Sequence, residues 1–133
     1  RGARSAVCVE KSAKHAQYIR RNLEFAKLPA ASLQTRVQDA FIAMAQMAAA
    51  GEKFDLILAD PPYGEKNVNR RSTSFAQKML DDIHLPGLVA EGGLFVLGHT
   101  KRDTLSLPPV WEELKMLKHG DTVMRFLHPV TAV

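Results

Sequence analysis

An acid, two prolines and an aromatic ring stand in a row at Asp60-Pro61-Pro62-Tyr63, directly after the mostly apolar run Phe54-Asp55-Leu56-Ile57-Leu58-Ala59. A carboxylate and a carbonyl accept hydrogen bonds, and a flat ring stacks. Proline fixes φ and also restricts the residue before it, so Asp60 and Pro61 are held extended with their acceptors in set directions. The result is a preorganised group of acceptors beside a ring. Two further acids, Glu10 and Asp39, follow β-type runs earlier in the chain. Glu10 either faces solvent or offers its two oxygens to a vicinal diol, as an acid at this place does for a ribose in Rossmann-like cofactor folds. Asp39 suits a helix N-cap, a role in which aspartate is favoured, and can serve a ligand as well.

The elements that must position these groups follow from pattern and punctuation. The run before Asp60 reads as a strand buried on both faces, because parallel strands covered by helices are continuously hydrophobic rather than alternating. Ligands of open α/β sheets bind at the carboxyl ends of the strands, which is where Asp60 falls. Ser5 to Val9 and Leu33 to Gln38 read as earlier strands ending at Glu10 and Asp39. Between them, Ser12 caps a helix with Ala16, Ile19, Leu23 and Ala26 on one face, closed by Pro29. Ala40 to Ala50 forms the next helix, with Met44 and Met47 filling core gaps and Gly51 stopping it.

Gly64 to Thr73 is a polar loop holding Lys66, Asn67, Asn69, Arg70 and Arg71. Such a loop can grip a phosphate backbone or simply be a solvated surface loop. Ser72 or Ser74 then caps a helix with Phe75, Met79, Leu80 and Ile83 on one face, ended by Pro86. A glycine turn at Gly92-Gly93 leads into the strand Leu94 to Gly98, followed by His99-Thr100-Lys101-Arg102. His99 is a general base by residue type, but no nucleophile or metal-ligand spacing accompanies it. Trp111 to Leu117 and Thr122 to Leu127 form a hairpin around His119-Gly120-Asp121. Alternating β-α units with a terminal hairpin predict a mostly parallel α/β sheet with an antiparallel edge, covered by helices on both faces.

Composition narrows the classes. The 133 residues suit one domain, with a hydrophobic fraction of 46% and no apolar run long enough for a membrane span. The net charge of +4 favours anionic partners, nucleic acid first. Cys8 is the one cysteine, so no internal disulfide forms, consistent with a cytoplasmic location; its apolar run marks it as a small core residue. No signal-peptide pattern opens the chain. No Gly-x-x-x-x-Gly-Lys-Ser/Thr loop occurs, which argues against a nucleotide triphosphatase.

Asp60-Pro61-Pro62-Tyr63 after such a strand resembles the catalytic motif of the S-adenosylmethionine-dependent methyltransferases that act on exocyclic amino groups of nucleic-acid bases. The chain as a whole resembles the bacterial 16S ribosomal RNA guanine-N2 methyltransferase family. The likeness runs through Gly2-Ala3, Val9-Glu10-Lys11-Ser12, Asn22-Leu23, Asp39-Ala40, the motif with its strand, Gly92-Gly93-Leu94, His99-Thr100-Lys101-Arg102 and Gly120-Asp121-Thr122. It implies a Rossmann-like class I methyltransferase sheet with an antiparallel C-terminal hairpin and S-adenosylmethionine as cofactor. Glu10 would hold the cofactor ribose, and Asp39 with Ala40 its adenine. Asp60, Pro61, Pro62 and Tyr63 would bind the target base, with no metal required. Lys66, Arg70, Arg71, Lys101 and Arg102 would meet the phosphates of ribosomal RNA or of the small ribosomal subunit.

In families of this kind a glycine-rich loop after the first strand precedes the Gly-Ala pair, which here is almost the first residue pair. The resemblance therefore implies that residues 1–133 are an N-terminally truncated methyltransferase domain lacking its first strand. It also implies a sheet broken between the strands ending at Glu10 and Asp60, and weak or no cofactor binding by this chain alone. Gly98 departs from the family, where a glutamate is expected. The rival readings are adenine-N6 methylation of DNA, since the tetrapeptide does not name the base, and a non-catalytic RNA-binding module that keeps the fold.

Overall fold

The computed structural model describes residues 2–63 and 66–130, so Gly64, which closes the motif stretch, lies outside the described residues, as do Arg1 and Glu65. The chain forms two compact units, Arg1–Gln46 and Met47–Val133. The strands fall into two separate sheets, β1-β2 and β3-β4-β6-β5, which is the break expected between the strands ending at Glu10 and Asp60.

In the first unit β1 (Ala6–Val9) and β2 (Leu33–Arg36) pair in parallel, Ala6 opposite Leu33 and Val9 opposite Arg36. Helix α1 (Ala13–Phe25) starts where expected: the Ser12 hydroxyl accepts from the His15 N–H at 3.2 Å. It stops before Pro29. Lys27 adopts a left-handed φ of 57°, and the N–H groups of Lys27 and Leu28 turn back to the carbonyls of Glu24 and Leu23. This is a Schellman ending with a lysine where glycine is usual. Ala26 consequently lies beyond the helix and is exposed, not on its buried face. Cys8 is half-buried. Helix α2 (Ala40–Ala49) carries Met44 and Met47, both buried as core residues.

In the second unit β3 (Phe54–Ala59) pairs in parallel with β4 (Val89–Thr100), and β4 pairs antiparallel with β6 (Thr122–Pro129). β5 (Trp111–His119) completes the hairpin on the far edge of β6. The antiparallel terminal hairpin is therefore present as expected, but the sheet is mixed rather than mostly parallel: among the described residues it has one parallel pair, β3-β4, and two antiparallel pairs. Phe95, Leu97, Leu127 and Trp111 form its core with Leu80 from α3 (Phe75–Asp81) and with Leu85 and Leu88 from α4 (Leu85–Leu88). The Trp111 Nε1–H donates to the Leu80 carbonyl at 3.0 Å, and its ring lies 5.2 Å from that of Phe95.

Several expectations change here. β3 is not buried on both faces: it is an edge strand, and Leu56 and Leu58, which share one face by the two-residue strand period, are 54% and 70% exposed. A mostly apolar run gives strand character but not the number of covered faces, and Asp55 already interrupts this one. Helical cover on both faces also fails at β5, where the residues after Trp111 are exposed, Leu114 and Leu117 among them. Helix α3 ends at Asp81 rather than at Pro86, and Pro86 opens α4 in its first turn, where a missing N–H costs nothing. The face of α3 that is buried holds Ala76, Gln77, Met79 and Leu80; Phe75 and Ile83 are exposed. Gly92-Gly93 lies inside β4 as an excursion in its pairing with β3, Phe54 facing Val89 but Leu56 facing Leu94. A Cβ on Gly93 would meet the carbonyl oxygens of Ala90 and Asp55 at 2.9 Å, so the close backbone approach requires glycine. No helix among the described residues is long and apolar enough to cross a membrane.

Candidate active site and nucleic-acid interface

The first unit brings two acids to one end of its sheet. β1 and β2 run parallel, Glu10 follows β1 with its N–H on the Arg36 carbonyl, and Asp39 lies just past β2. One oxygen of Glu10 accepts from the Ser12 N–H at 3.1 Å and lies 3.5 Å from His15 Nδ1. Asp39 Oδ1 accepts from the N–H groups of Phe41 at 2.9 Å and Ile42 at 3.3 Å, making it the cap of α2, which Ala40 opens. The capping expectation for Asp39 holds. Both carboxylates are anchored through one oxygen, which fixes their direction at the carboxyl ends of adjacent parallel strands.

In the second unit the register of β3 with β4 sets the motif. Ala59 is paired with Leu97, so the next residues, Asp60 and Gly98, come together. A Cβ on Gly98 would fall 3.0 Å from Asp60 Oδ1 and 3.2 Å from Met124 Sδ. The space where other residues carry a side chain is occupied here by the Asp60 carboxylate, which remains solvent-exposed. Tyr63 exposes 56% of its surface, and its hydroxyl is 3.4 Å from Thr122 Oγ1 at the start of β6. The acceptor and the ring thus stand at the carboxyl end of the parallel pair, as their position after β3 predicted.

All five cations proposed as phosphate contacts, Lys66, Arg70, Arg71, Lys101 and Arg102, line one open groove of about 1080 Å³. Lys118 joins them from β5, and no acidic residue is among the lining residues. Sequence reading missed Lys118 because the hairpin, not sequence proximity, carries it there. Two amides fasten one wall. Asn67 exchanges hydrogen bonds with the Thr104 backbone at 2.8 and 2.9 Å, and Gln77 does the same with Ser106 at 2.8 Å in both directions. Asn67 is therefore a clamp on the groove rather than a phosphate contact. Arg71 is also committed: it forks onto Asp81 at 2.5 and 2.7 Å, a bond that holds the Asp81 carboxyl below the usual carboxylate range and raises the arginine. Its charge in the groove is largely neutralised.

His99 is a structural group. It is buried, with Nδ1–H donating to the Thr100 carbonyl at 2.8 Å and Nε2 accepting from Arg125 Nε at 3.1 Å. Burial, and then the Arg125 charge, push its pKa down, so the ring is neutral with both nitrogens engaged. Arg125 in turn reaches Glu113 at 3.5 Å, tying β4, β6 and β5 together. A general-base role is not available to a histidine so held. A second, smaller cleft of about 300 Å³ lies beside the motif, lined by Pro62, Tyr63, Arg70, Ser72 and Phe75 among others. The sequence pattern places Phe75 on one helix face with Met79, Leu80 and Ile83; only the fold shows that it lines this cleft.

Solved structures share this arrangement. A candidate methyltransferase, yhhF, of Escherichia coli superposes with a TM-score of 0.73 at 17% identity, over 97% of this chain and 66% of its own. A hypothetical protein of Thermus thermophilus gives 0.70 at 24% identity, over 95% and 63%. A candidate methyltransferase crystallised with S-adenosylhomocysteine gives 0.70 at 14% identity, over 95% and 39%. The chain therefore shares the Rossmann-like fold of these structures and spans less than two thirds of the length of these three proteins. Residues 1–128 match the model of one family, and the chain belongs to it: the family described as conserved hypothetical protein 95. No curated protein matches the sequence.

Proposed function

We propose that the protein comprising this chain methylates the exocyclic N2 amino group of a guanine in small-subunit ribosomal RNA, using S-adenosylmethionine. The observation that carries this reading is the Asp60 carboxylate, held at the carboxyl end of β3 over the side-chain-free Gly98, with the exposed Tyr63 ring after it. The whole-chain resemblance favours guanine in ribosomal RNA over adenine in DNA, and the cationic groove suits a polyanion.

An exocyclic amine is a poor nucleophile because its lone pair is delocalised into the ring. The Asp60 carboxylate and the Pro61 carbonyl accept from the amine N–H groups, orient the nitrogen and stabilise the positive charge that grows on it. Tyr63 stacks on the base, which must be unpaired or flipped to reach these acceptors. As the nitrogen–carbon bond forms and the sulfur–methyl bond breaks, the amine proton leaves along the hydrogen bond to Asp60 and passes to solvent, which this exposed side chain touches. The first unit fits the cofactor: Glu10 would accept from the ribose hydroxyls and Asp39, beside Ala40, from the adenine amine, each with its direction fixed by backbone N–H groups bonded to one of its oxygens. When bound, that cofactor supplies an electrophilic methyl group on a sulfonium.

The test is methyl transfer to purified small ribosomal subunits and to DNA, followed by digestion to nucleosides. Label in N2-methylguanosine from the ribosomal RNA is expected, and Asp60→Ala should abolish it while leaving the circular-dichroism spectrum unchanged. Label in N6-methyladenine, or undiminished transfer by Asp60→Ala, would refute the assignment. Subunit binding without transfer would point to a non-catalytic module instead.

A further inference from the structure

The positive charge of the chain is not shared evenly between its two units. Arg1–Gln46 holds eight of the 18 lysines and arginines but only three of the 14 acids, a net charge of +5, which leaves −1 for Met47–Val133. The excess that favours an anionic partner therefore belongs to the first unit, not to the unit that holds the motif and the groove. Helix α1 and its flanks carry most of it. Lys11, Lys14, Arg20, Arg21 and Lys27 are all exposed, and Glu24 is the one acid among them.

Helix geometry sorts these side chains. Ala16 is buried and Ile19 and Leu23 are half-buried, so the packed side of α1 follows the row through these three. Lys14, Tyr18, Arg21 and Phe25 succeed one another at spacings of four, three and four, and at about 3.6 residues per turn their row runs along the opposite side of the helix. The outermost face of α1 thus alternates cation and ring. A single exposed apolar residue is ordinary on a protein surface. Phe25 differs in its place between uncompensated charges: it is 92% exposed, with no cation or second ring against it among the described residues. Tyr18 is already engaged, since the Arg21 guanidinium lies over its ring, 5.7 Å from the centroid, and is thereby held on the stripe. No ion pair among the described residues engages Lys14 or Arg21, in contrast to Arg71, whose charge Asp81 takes up.

Two unpaired cations call for an anion, and a free ring in the same row calls for a flat apolar face. A nucleic-acid strand offers both in every repeat, phosphate and base, whereas a run of acidic side chains offers the charge alone. A duplex shows its phosphates but keeps its base faces stacked inside, so the strand that satisfies the whole row is unpaired. We propose that the outward face of α1 is a second RNA-contact surface, with Lys14 and Arg21 on phosphates and Phe25 stacked on an unpaired base. This rests on the nucleic-acid reading given above, and it adds a contact surface on the first unit to the groove on the second.

The experiment is fluorescence-anisotropy titration of the protein with a short labelled single-stranded RNA between about 50 and 200 mM salt. On a single strand each phosphate contact adds about 0.7 to the slope of log affinity against log salt. The double variant Lys14→Ala/Arg21→Ala should therefore lower that slope by about 1.4, and its deficit at low salt should shrink about 7-fold across the range. Both residues are exposed and alanine favours helix, so the circular-dichroism spectrum should not change. Lys14→Arg/Arg21→Lys keeps both charges and should keep the slope. Phe25→Ala should weaken binding about 5-fold or more at every salt concentration with the slope unchanged. A wild-type slope in Lys14→Ala/Arg21→Ala, or wild-type affinity in Phe25→Ala, would overturn the α1 surface; if Lys118→Ala still lowers the slope, the groove and the methyl-transfer reading stand. Failure of the wild-type protein to bind the RNA would overturn both.

Discussion

Gly98→Ala is the sharpest probe of the motif's geometry. The added Cβ would lie 3.0 Å from Asp60 Oδ1, 3.6 Å from its Cγ and 3.2 Å from Met124 Sδ. The distance to Cγ is an ordinary contact but that to Oδ1 is tight, so the carboxylate oxygen must withdraw by a few tenths of an ångström. Stability should hardly change. Gly98 does not have a left-handed φ, Asp60 is exposed and able to rotate, and Met124 is flexible. Alanine also removes unfolded-state entropy worth about 0.4–1 kcal/mol, which offsets the crowding and keeps the net change within about 1 kcal/mol of zero. Catalysis is less tolerant, since a misplacement of about 1 Å costs on the order of 100-fold. A shift of roughly a third of that should lower kcat about 5-fold, close to about 1 kcal/mol of transition-state stabilisation. Steady-state methyl transfer at saturating cofactor, with a thermal melt of the same preparation, measures both quantities. Full kcat in Gly98→Ala would show that the Asp60 carboxylate need not occupy the position seen here. A loss of activity matched by a loss of folded protein would show that the glycine serves packing instead.

His99 makes stability pH-dependent with a defined sign. Its folded pKa is depressed, first by burial and then by Arg125, so below about pH 6.5 the unfolded chain binds the proton that the folded ring refuses. Stability is complete above that pH and should fall as acid is added through the window down to the folded pKa. Urea midpoints at pH 7.5 and 5.5 should show the drop, and His99→Asn should flatten it; an unchanged slope in the variant would place the effect on another histidine. Trp111→Phe keeps the ring against Phe95 but strands the buried Leu80 carbonyl, and should cost about 1–3 kcal/mol in denaturant unfolding. A smaller loss would mean that water reaches that carbonyl.

The fold was legible in the order of strands, helices and breakers because each carries its own local signal. Apolar runs marked the strands, Ser12 and Asp39 the helix starts, and the glycine after His119 the hairpin. Placement of the acids at strand ends followed from the same punctuation. Burial was less legible, because it depends on which strands pair. Nothing local to Phe54–Ala59 says that only β4 will be its neighbour, and so the exposure of Leu56 and Leu58 could not be read. Helix phase misled at Phe75 because α3 is short and its buried face is set by contacts with β4, not by hydrophobic period alone. The cations could be nominated by residue type, yet only their partners separate Arg71, tied to Asp81, from Lys118, delivered by a strand far along the chain. Gly98 stood out in sequence only as a departure from a family; its relation to Asp60 needs the register of β3 with β4.

The two amide clamps on the segment after β4 bear on which changes this protein can accumulate. Asn67 holds Thr104 and Gln77 holds Ser106, each through a matched N–H and C=O. Thr104 and Ser106 are separated by a single residue, and each side chain measures the distance to one backbone position as a strand neighbour would. The exposed side chains of Thr104 and Ser106 take no part in these bonds and can drift with little penalty, unlike the buried Asp103 and Leu105 beside them, but the number of residues cannot change. Inserting or deleting one would slide both backbone positions past their amides at once. Gene duplicates and distant descendants of this chain should vary at Thr104 and Ser106 while keeping the length of the stretch, the reverse of what surface loops usually tolerate.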